Sequence, residues 1–303
     1  MEATWQVGVF ARVLGSPRTR AELVEAGAEW ITVSPNQCTY LLEMSEAELE
    51  SIGEELRNSG ISVQGFHSYH GPRENLSDVD HNLREQAVEK HKAVIRRAPL
   101  VGAKVVHLHP GLSTLEEERQ HSKTVLRSNL ERSLDVLLPV AEESGVKLAV
   151  ENMPLSYGSP EDLVALMEAF DSPWLGICFD TGHAHVRDGV KASLEVIGGH
   201  LVDLHINDNG GTLDLHLPPP YGTIDWPQFV SSLAEVGYRG PLILETIAWH
   251  SGLARMLQET DALFHGELAV FRNHERWGYV RCGDCGHVLI GSADKWNCGC
   301  KFK

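Results

Sequence analysis

Residues 145–185 read GVKLAVENMPLSYGSPEDLVALMEAFDSPWLGICFDTGHAH, and this stretch contains the structural unit that repeats along the chain. The runs Lys147–Glu151 and Leu175–Asp180 are short and apolar, and each ends on a carboxylate. Short apolar runs of this kind are typical of buried strands. The amphipathic stretch Pro160–Phe170 lies between them and predicts a helix. The segment therefore predicts a β–α–β unit whose strands end in acidic side chains.

The same alternation of strand-like and helix-like segments runs through most of the chain. The predicted strands are Gln6–Phe10, Trp30–Ser34, Val63–His67, Lys104–His109, Lys147–Glu151, Leu175–Asp180, Leu201–Ile206 and Leu242–Glu245. The predicted helices are Arg18–Ala28, Ser45–Asn58, Asn82–Leu100, Leu115–Ser144, Pro160–Phe170, Val190–Ile197, Trp226–Val236 and Gly252–Phe271. Eight strand–helix units over roughly 250 residues match a (β/α)8 TIM barrel of the α/β class better than an open sheet. No glycine-rich dinucleotide or Walker loop opens any of these helices, which argues against a nucleotide-binding sheet.

Local signals support the helix boundaries. Ser45 is followed three residues later by Glu48, which is the capping-box pattern of a helix start. Several predicted helices end on a glycine, which is the usual residue where the backbone must turn left-handed. These glycines are Gly27, Gly60, Gly102, Gly145 and Gly237.

Composition and charge narrow the classes of function. The chain has 303 residues, 42% of them hydrophobic, which is enough for one large core and a small appendage. There are 26 Lys+Arg and 42 Asp+Glu, so the formal net charge is −16. A duplex-binding surface needs a basic stripe, so we do not expect a nucleic-acid partner. The chain opens without signal-peptide features and has no run of about 18 apolar residues, so we expect a cytoplasmic protein that does not enter a membrane.

The last part of the chain has a different composition. Residues 272–303 are rich in Gly and Cys with short β-like pieces, so we predict a barrel over residues 1–271 and a separate small module after it. The spacing CxxC followed by CxC resembles a truncated zinc ribbon, and four thiolates satisfy a structural zinc site. The predicted ligands of this zinc are Cys282, Cys285, Cys298 and Cys300. Redox or unpaired thiols are the alternative, and dimerisation is one role open to such a module, so a homo-oligomer is left open.

Carboxylates and imidazoles follow the apolar runs at one strand end after another. The set is His67, His109, Glu151, Asp180, His183, His205, Asp214, His216 and Glu245. A single residue of this kind is usually a solvated rim residue or a hydrogen-bonded core residue. Together they converge on the carboxyl-terminal mouth of the barrel, where such folds keep their chemistry. Burying several carboxylates there is unfavourable without a cation, so we predict a divalent metal, and the mixed donors favour zinc, manganese, cobalt or iron.

The ordered motifs carry a family resemblance. They are VVHLHPG, LAVEN, CFDTGHAH, LHINDN, TLDLHLPPPYGTIDW and LILET. As a set they resemble the xylose isomerase-like TIM barrel superfamily, over roughly Val7 to Phe264. That superfamily contains sugar and sugar-phosphate isomerases and epimerases, and also endonuclease IV.

The epimerase branch of this resemblance implies one divalent metal held by four residues. The matching residues here are Glu151, Asp180, His205 and Glu245. In such enzymes the two glutamates also move protons on opposite faces of the substrate, so the resemblance makes Glu151 and Glu245 the catalytic residues. The chemistry is consistent, because a metal-polarised carbonyl acidifies the neighbouring C–H and a positioned carboxylate removes the proton.

Endonuclease IV implies a second function, since its trinuclear zinc site uses five further residues. The matching residues are His67, His109, His183, Asp214 and His216. A multinuclear site suits phosphoester hydrolysis. A nuclease must also bind a phosphate backbone, usually through Lys and Arg side chains. The segment Asn207–Asp225 contains neither Lys nor Arg. We therefore predict a sugar or sugar-phosphate isomerase or epimerase acting on a small carbohydrate, with a multi-zinc AP endonuclease or other phosphoesterase as the alternative. A lyase or dehydratase on the same scaffold, or a barrel that binds metal without catalysis, stays open.

Three further side chains are candidates for substrate binding. Asn152 and His185 follow predicted ligands and are placed to orient the ligands or the substrate. Trp249 follows the last strand and is able to stack on a sugar, although aromatic residues at a rim more often simply pack. His107 precedes His109 by two residues and is expected in a lower layer of the barrel.

Overall fold

The computed structural model describes residues 5–111, 121–154, 157–246, 252–265, 278–281 and 288–291. In this part of the chain, eight parallel strands form a closed barrel in sequence order. The strands are β1 (Val7–Ala11), β2 (Trp30–Val33), β3 (Ser62–His67), β4 (Val105–Leu108), β5 (Lys147–Glu151), β6 (Leu175–Asp180), β7 (Leu201–Ile206) and β8 (Leu242–Leu244). The predicted TIM barrel is confirmed, because every predicted strand is present at its predicted place.

Helices lie between the strands, most of them where they were predicted. They are α1 (Pro17–Glu25), α2 (Cys38–Glu43), α3 (Glu46–Asn58), α4 (His81–Arg97), α5 (Lys123–Ser144), α6 (Pro160–Phe170), α7 (Thr181–Arg187), α8 (Val190–Ile197), α9 (Trp226–Val236) and α10 (Leu253–Phe264). The helix predicted for Leu115–Ser144 is described from Lys123 onward. The short helices α2 and α7 were not predicted, because six or seven residues are too few to show a helical period.

Capping side chains fix the helix starts. Ser45 Oγ accepts from the Glu48 amide at 3.3 Å, and the Glu48 carboxylate accepts from the Ser45 amide at 2.8 Å, so the predicted capping box is formed. The unpredicted helix α7 has Asp180 as its N-cap, whose side chain accepts from the His183 amide at 2.6 Å. At the other end of α5, Gly145 has a φ of 68°, which confirms the predicted glycine stop.

Apolar side chains fill the space between barrel and helices, whereas the barrel interior holds few of them. Val150, Ile177 and Leu204 belong to the main core and are fully buried. A separate small apolar cluster of Val105, Ala149 and Cys178 comes from the strands β4, β5 and β6. Side chains of a strand alternate between two faces, so Glu151 and Asp180 share the inner face with Ala149 and Cys178. The upper barrel interior is therefore polar.

Two further strands lie in the tail, after the barrel. β9 (Gly278–Arg281) pairs with β10 (Val288–Gly291) in an antiparallel two-stranded sheet, in line with the short β-like pieces expected there. The four tail cysteines and the predicted domain boundary near residue 271 lie outside the described residues, so the zinc-ribbon-like module stays a prediction. Among the described helices, none combines the length and apolar character needed to cross a membrane.

Candidate metal centre

The carboxyl ends of the strands bring the predicted ligands to one mouth of the barrel. His67 ends β3, Glu151 ends β5 and Asp180 ends β6, while His205 is the last residue but one of β7. Glu245 follows β8 directly. The first four side chains are almost entirely excluded from solvent, with exposures of 2%, 1%, 0% and 0%. Burial of this degree for charged groups requires partners within the site.

Four of these side chains form what we call the inner group. Glu151, Asp180, His205 and Glu245 each offer one ligand atom within 4.8 Å of the others. His205 Nδ1 lies 3.2 Å from Glu151 Oε2 and 3.1 Å from Glu245 Oε2. Three carboxylates and one imidazole at this spacing are suited to hold a single divalent ion.

Two further histidines lie beside the inner group. His67 Nε2 and His109 Nε2 are each 3.4 Å from Glu151 Oε2, and the three residues together are capable of holding a metal. Glu151 is therefore shared between two sets of ligand atoms. Both histidines were predicted from the sequence, and the structure brings both to the same carboxylate oxygen.

The remaining three predicted ligands form what we call the outer group. It contains His183 from the first turn of α7 with Asp214 and His216 from the loop after β7. Asp214 Oδ2 lies 3.2 Å from His183 Nε2 and 3.1 Å from His216 Nε2. The side chains of Asp214 and His216 are 30% and 20% exposed. The structure thus gathers all nine predicted residues into adjoining sets of ligand atoms.

The ring orientation of three histidines indicates a missing positive charge. Nδ1 of His67, His183 and His216 lies 2.8 to 2.9 Å from a backbone carbonyl, to which it donates. Nε2 of each ring then faces a carboxylate oxygen. A neutral imidazole carries only one proton, so both contacts are favourable only if the ring is protonated or a cation lies at Nε2. This is the usual arrangement of a metal-binding histidine, whose second nitrogen is fixed by a carbonyl.

The pKa values of the site point in the same direction. Burial raises the pKa of Asp180 to about 6, because the carboxylate is removed from water. Burial opposes a charge on His216, yet the hydrogen bond to Asp214 and the charge of Glu245 raise its pKa to about 10. For His183, Asp180 and Asp214 overcome the effect of burial and raise the pKa well above its usual value. The site therefore favours positive charge, which a divalent ion supplies.

Unpaired buried atoms show that a metal fits the inner group. Among the described residues, Glu151 Oε2, Glu245 Oε2 and both ring nitrogens of His205 are buried without a hydrogen-bond partner. The ion pairs that Glu151 and Glu245 make within this part of the chain are all with histidines. Leaving such groups without a counter-charge costs several kcal/mol. A divalent ion between them would satisfy both carboxylate oxygens and one ring nitrogen of His205.

Two asparagines hold Asp180 in place. The amide oxygen of Asn152 accepts from the Asp180 backbone N–H at 2.7 Å, and its nitrogen donates to the Asp180 carbonyl at 3.0 Å. Asn207 donates to Asp180 Oδ2 at 2.6 Å. Asn152 was predicted to orient the ligands or the substrate, and the structure shows its side chain on the backbone of Asp180. Asn207 was not predicted, although its place two residues after His205, on the same face, is a signal for it.

The loop after β7 positions Asp214 and His216. Its organiser is the buried Asp208, whose carboxylate accepts from Trp226 Nε1 at 2.9 Å and from the Ile224 amide at 3.2 Å. His216 has a φ of 48°, in the left-handed region that side chains other than glycine rarely occupy. This strained backbone indicates that the loop is held in a defined shape around the outer group.

The other two residues predicted to bind substrate are His185 and Trp249. His185 on α7 forms a hydrogen bond of 2.8 Å between Nε2 and Thr223 Oγ1, so it ties α7 to the loop after β7. Trp249 lies outside the described residues.

A cleft of about 580 Å³ opens beside the inner group. Its described lining consists of Phe10, Arg12, Thr19, Glu22, Ser34, Pro35, Asn36, His216, Glu245 and Thr246. Phe10 also packs edge-on against the His205 ring, with ring centroids 4.9 Å apart. Arg12 is the one Lys or Arg in this described lining. It was missed in the sequence, although it follows β1 directly.

The sequence and the barrel place the chain in a known family. It matches the xylose isomerase-like TIM barrel over residues 20–263 and belongs to that family. An uncharacterised protein of Methanocaldococcus jannaschii is 29% identical, and the match covers 74% of this chain and 73% of the length of that protein. A probable endonuclease 4 of Campylobacter concisus is 26% identical over 77% of this chain and 84% of its own. L-ribulose-5-phosphate 3-epimerase UlaE of Escherichia coli O1:K1 / APEC is 27% identical, and the match covers 56% of this chain and 59% of the epimerase.

Solved structures share the fold. A D-tagatose 3-epimerase-like protein superimposes with a TM-score of 0.75 at 23% identity, covering 86% of this chain and 97% of its own. The IolI protein superimposes with a TM-score of 0.71 at 18% identity, and its crystal structure contains a zinc atom. The superposition covers 87% of this chain and 99% of the IolI chain. The match over residues 20–263 confirms the family resemblance seen in the sequence.

Proposed function

We propose that this chain is a divalent-metal-dependent isomerase or epimerase of a small carbohydrate. The observation that carries the proposal is the inner group. In this group two glutamates and a histidine lie close together beside a cleft, and each has a buried polar atom without a hydrogen-bond partner among the described residues. Epimerases among the relatives and structural neighbours support this choice of reaction. A metal at the inner group, of zinc, manganese, cobalt or iron, is part of the proposal.

The two glutamates divide the proton transfer between them. A bound divalent ion polarises a carbonyl oxygen and acidifies the adjacent C–H. Glu245 lines the cleft and is 19% exposed, so its carboxylate reaches a molecule bound there. Burial opposes ionisation of Glu245, yet His205 lowers its pKa to about 2, so it is ionised and able to accept a proton. Glu151, held among His67, His109 and His205, is the partner that exchanges the proton on the other face.

The cleft favours a small molecule over a nucleic-acid strand. Its volume of about 580 Å³ lies within the usual range for small-molecule sites. One arginine among the described lining residues and a net charge of −16 provide little attraction for a chain of phosphates. Hydroxyl-rich sugars fit the polar lining of Ser34, Asn36 and Thr19.

Hydrogen exchange tests the reaction directly. The full-length, metal-loaded protein is incubated in D2O with a panel of ketoses and ketose phosphates, and deuterium incorporation is followed by mass spectrometry and NMR. We expect incorporation at the carbon next to the carbonyl, together with an epimer or aldose product. Glu151→Gln and Glu245→Gln should each reduce the rate about 10²- to 10⁴-fold. Glu22→Gln is the matched control, because Glu22 lines the cleft outside the ligand groups. Exchange at the wild-type rate in either ligand variant rejects the two-glutamate mechanism.

Phosphoester hydrolysis is the second candidate, and the outer group is the observation that favours it. Multinuclear sites activate a hydroxide and stabilise the leaving oxygen. Metal content per chain distinguishes the two candidates when wild type is compared with an Asp214→Asn variant and a Cys282→Ser variant. One metal insensitive to both substitutions favours the isomerase. Metal lost with Asp214→Asn, together with cleavage of abasic-site DNA, favours the hydrolase.

A further inference from the structure

A buried polar pair lies directly below the inner group. His107 on β4 and Asp203 on β7 are both fully buried, and His107 Nε2 lies 2.9 Å from Asp203 Oδ2. The pair joins two strands that are not neighbours in the barrel. A Cβ at Gly65 would overlap the His107 ring, so the glycine inside β3 makes room for it. The sequence predicted a lower-layer position for His107, but not this partner.

Asp203 is fixed from several sides. Its Oδ1 accepts from the Leu204 amide at 2.9 Å and from the Tyr238 hydroxyl at 3.4 Å. Its Oδ2 is left for His107. In this contact the carboxylate oxygen accepts, which places the His107 proton on Nε2. His107 Nδ1 is then a free acceptor, and it is buried without a partner among the described residues.

The His205 ring provides the matching donor. Its Nδ1 faces Glu151 and Glu245, which is the side where a metal would bind. A metal held at Nδ1 would leave the ring proton on Nε2. In the described part of the chain neither this Nε2 nor His107 Nδ1 has a hydrogen-bond partner, so the two atoms do not form a hydrogen bond with each other in this structure. The rings of His107 and His205 have centroids 4.6 Å apart. One ring nitrogen of each and Cys178 Sγ lie within 4.8 Å of one another.

We propose that His107 and Asp203 are positioning residues for the metal ligand His205. When a metal is bound at His205 Nδ1, the two rings turn toward each other so that His107 Nδ1 accepts from His205 Nε2–H, and Asp203 holds His107 in the tautomer that makes this possible. The relay orients the His205 ring and increases the electron density at its Nδ1, which strengthens metal binding. The inference rests on the proposed metal at the inner group, but not on the choice of substrate.

Metal affinity of the full-length protein tests the relay. Asp203→Asn places an amide N–H against His107 Nε2, which moves the His107 proton to Nδ1, where it opposes His205 Nε2–H. Affinity for zinc and cobalt, measured by competition with a chromophoric chelator, should fall about 10- to 100-fold. Tyr238→Phe is the matched control, because it removes one contact of Asp203 and leaves the carboxylate charge. Its affinity should change about threefold or less.

A measurement on the wild type covers the case in which Asp203→Asn fails to fold. Long-range ¹H–¹⁵N correlation of zinc-loaded, ¹⁵N-histidine-labelled protein reports the tautomers, and we expect both His107 and His205 to be protonated on Nε2. A proton on His107 Nδ1, or wild-type affinity in folded Asp203→Asn, overturns the relay alone. A wild type that takes up no metal in the barrel overturns the proposed metal centre as well.

Discussion

The inner and outer groups use the same types of ligand but differ in how the chain holds them. Asp180 and His205 of the inner group lie on barrel strands and are fully buried, whereas Asp214 and His216 lie on a loop and are 30% and 20% exposed. Strand ends are fixed by the barrel hydrogen bonds. A loop depends on its own few contacts. We therefore expect a metal bound to the inner group to be held more tightly than one bound to the outer group.

The largest effect is expected at the residue that both the inner group and the His67–His109 pair share. Glu151→Gln removes a buried charge that four histidines contact, so metal affinity and turnover should both collapse, with turnover about 10²- to 10⁴-fold lower. Titration with zinc and the deuterium exchange assay measure the two quantities on one preparation. Normal metal binding by Glu151→Gln would show that the inner group is not the metal site.

Proton release on metal binding is the next expected effect. The raised pKa of His216, about 10, and the raised pKa values of His183 and His205 mean that metal-free protein holds protons on these rings at neutral pH. A metal must displace these protons, so apparent affinity should rise as pH increases from about 6 to about 8. Calorimetry in buffers of different ionisation enthalpy counts the protons. Affinity independent of pH over this range contradicts the charge assignment.

A smaller effect is expected in the outer group. Asp214→Asn removes the carboxylate between His183 and His216 but leaves the inner group intact. If the isomerase mechanism is correct, turnover should fall by less than about tenfold, because only positioning is disturbed. Steady-state rates with the substrate found in the exchange assay measure this. A loss as large as that of Glu151→Gln would mean that the outer group takes part in the chemistry.

The smallest effect is expected from the hydrogen bond between His185 on α7 and Thr223 in the loop after β7. His185→Ala removes the hydrogen bond to Thr223, which is worth about 1 kcal/mol. Faster exchange of a metal in the outer group should follow, without change in the inner group. Thr223→Val is the comparison variant, because it removes the same hydrogen bond together with the one from Thr223 Oγ1 to the Asn209 carbonyl at 3.2 Å. Faster metal exchange in His185→Ala than in Thr223→Val would give His185 another role, such as the predicted contact with substrate.

The sequence was most informative where one physical rule dominates. Short apolar runs located all eight strands, and a carboxylate or imidazole after a run located the mouth residues, because strand ends converge in a barrel. The pairing of His107 with Asp203 was not predictable, since it depends on the register of strands far apart in sequence. Asp208 acts through the fold of a long loop, for which local sequence gives no geometry. Trp249 and the tail cysteines stay predictions.

Metal content is the most direct test of the central claim, that the inner group binds a catalytic divalent ion. Full-length wild type and a Glu151→Gln/Glu245→Gln double variant are analysed side by side by elemental mass spectrometry, without chelators. Metal in the cysteine-rich tail contributes equally to both proteins, so it cancels in the difference. The account predicts at least one metal fewer per chain in the folded double variant. Equal metal content in the two proteins would contradict it.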